Sequence, residues 1–357
     1  MSARAQALVQ QLPGAGVDAI LITSRVNVRY LTGYTGSNGI AVLTGDAAKF
    51  MTDFRYVEQA AEEVDRGFQR RTGSVDLLET VPDALPQGEL RLGFEDAHLS
   101  VWQHGRLREL LPDRVELVAV HGLIEGLRSV KDPSERALLQ DATELADAAL
   151  QSLLGAGLVG RTERQVAIAL EREMLDRGAE RPSFDSIVAA GPHGALPHAK
   201  PREHEIRSGE LVVIDWGAAL GGYCSDCTRT IAAGEPGERG REVYELVLEA
   251  QLAGVEAVKA GAHGRDVDSR ARSLINAGGY GEHFGHGLGH GVGLDVHEAP
   301  RLSQSSADEL ARGNAVTVEP GIYLPGEFGV RIEDLVIVTD DGCEILTSLG
   351  KQLIVVD

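Results

Sequence analysis

A chain of 357 residues exceeds what one hydrophobic core usually serves, so two domains are expected. Its 34 basic and 54 acidic residues leave a formal charge of −20, which argues against nucleic acid or an anionic membrane as partner. The amphipathic start MSARAQALVQQLPG and the lack of any 18-residue apolar run give secretion and membrane insertion no support, and three cysteines fit a reducing cytoplasm.

Residues 1–126 alternate strand and helix patterns. Apolar strand-like runs fall at Ala19–Thr23, Gly39–Thr44, Lys49–Thr52, Leu90–Phe94 and Val115–Val120, with helical periodicity at Tyr56–Val64 and Val101–Leu111. This pattern predicts an α/β domain. The glycine-rich run Gly33–Gly39 lacks the Lys and the following helix of a phosphate loop, so it reads as a structured surface loop.

A second domain, 127–357, opens on a strong helix start. Asp132 is an N-cap acid, Pro133 takes the first helical position and Glu135 the third, which predicts a helix to about Leu154. Thr162 and Gln165 form a second capping box for a helix that stops before Gly178. Two more helices are expected near Gly240–Lys259 and Asp266–Ala277, so a helix-helix-strand-strand duplication is conceivable.

Chemistry concentrates in the strands of this second domain. Asp215 closes the apolar run Leu211–Ile214, and Asp226 follows a Gly221–Gly222 turn. An antiparallel hairpin is expected to set the two carboxylates side by side, with Thr228 on the face of Asp226. Gly222–Ile231 reads as one strand, so Cys224 and Cys227 point to opposite faces and form neither a redox pair nor a zinc site. Within Gly285–Glu298, three of the eleven histidines (His286, His290 and His297) fall among interleaved glycines that let backbone approach a crowded site. Glu319 ends the strand Ala315–Val318 and is fixed by Pro320. Glu333 lies in Val330–Val338, where Arg331 shares its face and can orient a carboxylate. Asp334 faces the other way and reads as a surface or turn acid. His198, in Ala195–His198, gains weight only from its company.

Buried together, Asp215, Asp226, His290, Glu319 and Glu333 would be costly without a compensating charge. Divalent metal supplies it, and a carboxylate-rich set with one His suits Mn²⁺, Co²⁺ or Zn²⁺.

These residues resemble a known family. Ser183–Ala189 leading to Leu196-Pro197-His198, the Asp215 and Asp226 pair, the glycine-histidine segment, Val318–Tyr323 and Val330–Asp334 are similar to the pita-bread metallopeptidases, within them the Xaa-Pro aminopeptidase (aminopeptidase P) and prolidase group. Asn27–Gly33 and Thr52–Tyr56 resemble its creatinase-like N-terminal domain. The implied fold is an α/β creatinase-like domain, 1–126, followed by an α+β pita-bread catalytic domain, 127–357.

The resemblance implies two metal ions, with manganese expected and cobalt or zinc as alternatives. Asp226 and Glu333 would bridge them, Asp215 would complete one sphere, and His290 with Glu319 the other. A hydroxide between the ions would attack the peptide bond before proline, with Glu319 moving the proton. His198 and His297 would bind the carbonyl and its tetrahedral intermediate, while His286, Arg301 and Arg331 are the expected substrate-binding residues. Expected partners are peptides with proline second, in a homodimeric cytoplasmic enzyme.

Arg301 reads equally as a clamp for the carboxylate of a dipeptide's proline and as a solvated loop residue. The expectation from the whole chain is an Xaa-Pro aminopeptidase that cleaves both lengths and prefers tripeptides or longer. The alternative is a prolidase restricted to dipeptides. A methionine aminopeptidase normally lacks the N-terminal domain, a creatinase does not keep the metal set, and a non-catalytic peptide-binding relative would have lost ligands that are intact here.

Overall fold

Residues 1–357 are described by a computed structural model, in which they fall into two units, Met1–Arg128 and Ser129–Asp357. In the first unit the apolar runs become β1 (Ala19–Ile22), β2 (Gly39–Thr44), β3 (Ala48–Asp53), β4 (Gln69–Gly73), β5 (Leu90–Glu95) and β6 (Val115–Val120). They form one mixed sheet in the order β4-β3-β2-β1-β5-β6. β1, β2 and β3 are antiparallel neighbours, while β4, β5 and β6 join in parallel. β1 is buried at all four positions, as a continuously apolar central strand should be. Leu21, Val42, Met51 and Leu92 pack against Leu77, Val81 and Leu107, each contributing about 1.5–3 kcal/mol by burial.

The second unit holds β7 (Arg181–Pro182), β8 (Ile187–Ala190), β9 (Glu210–Trp216), β10 (Ala218–Leu220), β11 (Tyr223–Cys224), β12 (Cys227–Ala233), β13 (Gly289–Gly291), β14 (Glu298–Leu302), β15 (Ala315–Val318), β16 (Gly321–Leu324), β17 (Phe328–Arg331), β18 (Asp334–Val338), β19 (Cys343–Ile345) and β20 (Val355–Val356). Two sheets dominate, ordered β20-β12-β9-β8 and β14-β13-β15-β18-β19. Each is backed by a helix pair. The helices Pro133–Leu154 and Glu163–Asp176 bury Ala146, Leu150, Val166 and Leu170 against Val188, Val212 and Ile214. Gly237–Ala257 and Gly264–Ala277 bury Val243, Val247, Val267 and Ile275 against Val316, Val318 and Val336. The expected caps are formed: Asp132 accepts from the backbone of Ser134 and Glu135, and Glu135 accepts from Asp132 N. Thr162 and Gln165 make the same reciprocal pair.

Two expectations about strands are corrected. Gly222–Ile231 is not one strand. β11 pairs with β10 in a small sheet, whereas β12 pairs with β9, so the chain changes sheets at Ser225–Asp226. The ladder therefore sets Thr228, not Asp226, opposite Asp215. The two cysteines end in separate places, Cys224 Sγ donating to Leu294 O and Cys227 Sγ to Glu333 O, and both are free.

Val330–Val338 is likewise broken at Ile332–Glu333, between a hairpin with β16 and the five-stranded sheet. The alternation is reset there, and Asp334 is wholly buried rather than a surface acid. It accepts from Arg229 Nη2 at 2.9 Å, Lys351 Nζ at 2.6 Å and Gln251 Nε2 at 2.9 Å. Arg229 also donates to the carbonyls of Thr228 and Glu333.

Removing Asp334 leaves a buried guanidinium without its carboxylate. Asp334→Ala should lose about 3–5 kcal/mol of unfolding free energy in urea titration. A loss under about 1 kcal/mol would contradict this reading of the pair.

Candidate active site

Four of the five expected ligand residues stand at ends and breaks of strands. Asp215 is the penultimate residue of β9, Asp226 sits in the break between β11 and β12, and Glu333 in that between β17 and β18. Glu319 follows β15, with its N–H on Leu288 O, and His290 is the middle residue of β13. Glycine on either side of His290 is obligatory: a Cβ at Gly289 would collide with the Thr317 carbonyl, and one at Gly291 with the Ala299 carbonyl. Backbone contact on both sides thus fixes the histidine's height above the sheet.

Ligand atoms of Asp226, His290 and Glu333 lie within 4.8 Å of one another, and all three residues are buried. His290 Nδ1 faces the Gly291 carbonyl at 3.1 Å and must donate to it. Its Nε2 then points at Asp226 Oδ2 (3.5 Å) and Glu319 Oε1 (3.3 Å). In the neutral ring that nitrogen carries a lone pair, so three electron-rich atoms face one point. Asp215 Oδ1 is buried without a hydrogen-bond partner.

Electrostatics agree with this geometry. Burial, then the charges of Glu333, Asp215 and Glu319, push the Asp226 carboxyl well above the carboxylate range. Burial, then Glu319 and Asp215, does the same for Glu333. Burial would also raise Glu319. With a proton on Nε2 the His290 ring would donate to it instead of offering a lone pair, and in that state its hydrogen bond and charge hold the carboxyl low. A donor set of four carboxylates and one imidazole, with an orphaned oxygen and a lone pair aimed inward, fits divalent cations.

Arg331 connects this cluster to its surroundings. Its Nη2 meets Asp215 Oδ2 at 2.6 Å and its Nε donates to Thr228 Oγ1 at 2.9 Å, which in turn donates to Glu333 Oε2 at 2.7 Å. Its Nη1 reaches Pro197 O (3.2 Å) and Tyr323 Oη (2.9 Å). These donors are engaged by the protein, so Arg331 does orient a carboxylate, that of Asp215. It does so from the end of β17 and not through the expected strand period, which is broken before Glu333. Tyr323, quoted in the sequence only as part of a motif, links Arg331 to His286 Nε2 at 2.9 Å. His286 Nδ1 donates to Gly287 O, so the Nε2 accepts from the tyrosine.

His198 and His297 are exposed, and the His297 ring stands edge-on to that of His290 with centroids 4.2 Å apart. One side of the His297 ring reaches solvent while the other is covered by the cluster. This partial burial, then the neighbouring His290 and Arg301, lowers its pKa to about 4, so the ring is neutral near pH 7 and offers one N–H. Arg301 is exposed on β14, directly across the ladder from His290. All ten expected site residues line one cavity of about 600 Å³, together with Phe184, Ile187 and Val296 among others. Sequence reasoning missed the buried pair of Glu163 and His193 beneath the His198 loop. Glu163 follows the Thr162 cap and carries no signal beyond that of a helix start.

Known proteins share this sequence pattern and fold. Residues 137–340 match metallopeptidase family M24, and residues 4–130 match the creatinase/prolidase N-terminal domain. An Xaa-Pro dipeptidase of Pyrococcus horikoshii is 37% identical, covering 99% of each chain. The solved structure of an Xaa-Pro dipeptidase from Bacillus anthracis is 42% identical with a TM-score of 0.94, covering 99% of each chain. That of an X-Pro aminopeptidase from Thermotoga maritima is 36% identical with a TM-score of 0.89, covering 96% of this chain and 98% of that one. With a creatinase-type domain ahead of a pita-bread domain that gathers its acids in one cavity, this chain belongs to metallopeptidase family M24 and is a metal-dependent peptidase.

Proposed function

We propose that this chain is an Xaa-Pro dipeptidase. The observation that carries the reading is its full-length likeness to Xaa-Pro dipeptidases, greater for the Bacillus anthracis enzyme than for the Thermotoga maritima aminopeptidase. This reverses the preference for longer peptides that the sequence suggested. Arg301 supports the reversal, because an exposed guanidinium across the ladder from His290 suits the free carboxylate of a dipeptide's proline.

The proposed ligands are Asp215, Asp226, His290, Glu319 and Glu333, holding two divalent ions, with manganese the best match to the donor set. Such ions lower the pKa of water from about 15.7 to about 7 and polarise a carbonyl. The chain's own groups do the remainder. Glu319 takes the proton of the attacking water and returns it to the leaving proline nitrogen. His297, neutral at pH 7, and His198 donate to the carbonyl oxygen as it gains charge. Arg331 orients Asp215, its charge opposing the upward push of burial on that carboxyl, and Tyr323 fixes the ring of His286 on the far side of the scissile bond.

Three outcomes are expected. Asp226→Ala or Glu333→Ala should abolish turnover and reduce bound divalent metal below the two ions per chain expected of the parent, measured by elemental analysis after dialysis. His198→Ala and His297→Ala should each lower kcat about 10²–10³-fold with metal content unchanged, and metal loss in His297→Ala would reassign that residue. On Xaa-Pro dipeptides kcat/KM should exceed that on Xaa-Pro-Xaa tripeptides by at least tenfold and collapse in Arg301→Ala. A preference for tripeptides would make the chain an aminopeptidase.

A further inference from the structure

His198 rides on a loop that leaves β8 at Ala190, turns through a short 3-10 helix at Gly191–Ala195 and returns to Arg202. The ring is exposed, so its direction is set by the backbone beneath it. Both ends of that backbone meet on one carboxylate. Glu163 is fully buried, its Oε1 accepting from Ala190 N at 2.8 Å and its Oε2 from Arg202 N at 2.9 Å. Between them His193 Nδ1 reaches both oxygens, at 2.9 and 2.8 Å. Bonds from Glu163 N to His204 O and from Arg164 N to Arg202 O tie the same strip of chain to the helix start.

Bonds to an ionised acceptor are roughly twice as strong as neutral ones. Here they close the thirteen-residue segment Ala190–Arg202 at its base. Pro192, Pro197 and Pro201 restrict φ within the segment, so its tip follows its ends with little slack. Nearer the tip, Arg331 Nη1 holds the carbonyl of Pro197, the residue before His198, and Ala199, the residue after it, is buried with Ile187 and Ala189.

We propose that Glu163 is a positioning residue for His198: by clasping Ala190, His193 and Arg202 at once, it aims the histidine at the scissile carbonyl. The proposal rests on the role given to His198 above. Glutamine at this position keeps the size but turns an amide toward at least one of the three donors, so one end of the loop is released.

The test is a double-mutant cycle on the metal-loaded enzyme with an Xaa-Pro dipeptide, using Glu163→Gln, His198→Ala and the pair. Glu163→Gln alone should lower kcat about 10- to 100-fold, the scale of a displaced catalytic group, with KM and metal content little changed. In the His198→Ala background it should cost nothing further. Multiplying losses in the double variant would overturn the proposal and make Glu163 a matter of general stability, as would an unchanged kcat in Glu163→Gln. An unchanged kcat in His198→Ala would instead refute the role of His198, and the proposal with it. Should Glu163→Gln fail to fold, His193→Ala carries the same cycle, because it leaves both backbone clasps in place and is expected to show a smaller loss that is again silent without His198.

Discussion

Like charge held at close quarters is the constraint around which the catalytic half is organised. Two carboxylates 4 Å apart repel by about 4 kcal/mol at the effective dielectric of a protein. Four of them converge here with one imidazole, and the guanidinium in contact with them, that of Arg331, is already engaged by Asp215. Left alone, such groups would separate or take up protons, which is the tendency seen at Asp226 and Glu333. A cation resolves the conflict only if the acids already wait in place. The surrounding structure is therefore built to hold them still.

The means are rigid contacts in successive layers. Strand breaks at Ser225–Asp226 and Ile332–Glu333 turn acids inward where a continuous ladder would have alternated them. Thr228 passes a hydrogen bond from Arg331 to Glu333, and Arg331 reaches as far as the His198 loop and, through Tyr323, His286. One planar side chain thus relates the acids to the histidines on either side of the cavity, a task that needs several donors in fixed directions and suits arginine rather than lysine.

Much of this was legible in the sequence, for identifiable reasons. Helices with reciprocal caps at Asp132 and Thr162 announced themselves because local hydrogen bonds decide them. The acids and histidines of the site were readable because charged residues at the close of apolar runs conflict with burial unless they have work there. Strand continuity was not readable. Period-two counting has no way to see a chain leaving one sheet for another, so Asp226 was set opposite Asp215 and Asp334 was turned outward. β4 was invisible for a different reason: Gln69–Thr72 are exposed, and pairing with β3 alone makes them a strand. Glu163 and Tyr323 were overlooked because their importance lies wholly in distant partners.

The surroundings of Arg229 bear on how the protein is made. Its guanidinium is satisfied by Asp334 and by the carbonyls of Leu349 and Gly350, about 105 to 121 residues further along the chain. Contacts of such separation close late, since a long loop must be ordered before they return any energy. During synthesis the stretch around Thr228 emerges from the ribosome well before its acceptors exist. Until residues near 350 follow, a strong cation and a cluster of acids lie without their permanent neighbours, in a half-built sheet with open edges. The N-terminal unit depends on no such delay, for its strands are complete by Val120. Folding on the ribosome is therefore expected to be ordered in time, the N-terminal unit first and the peptidase unit complete only once its last strands have emerged.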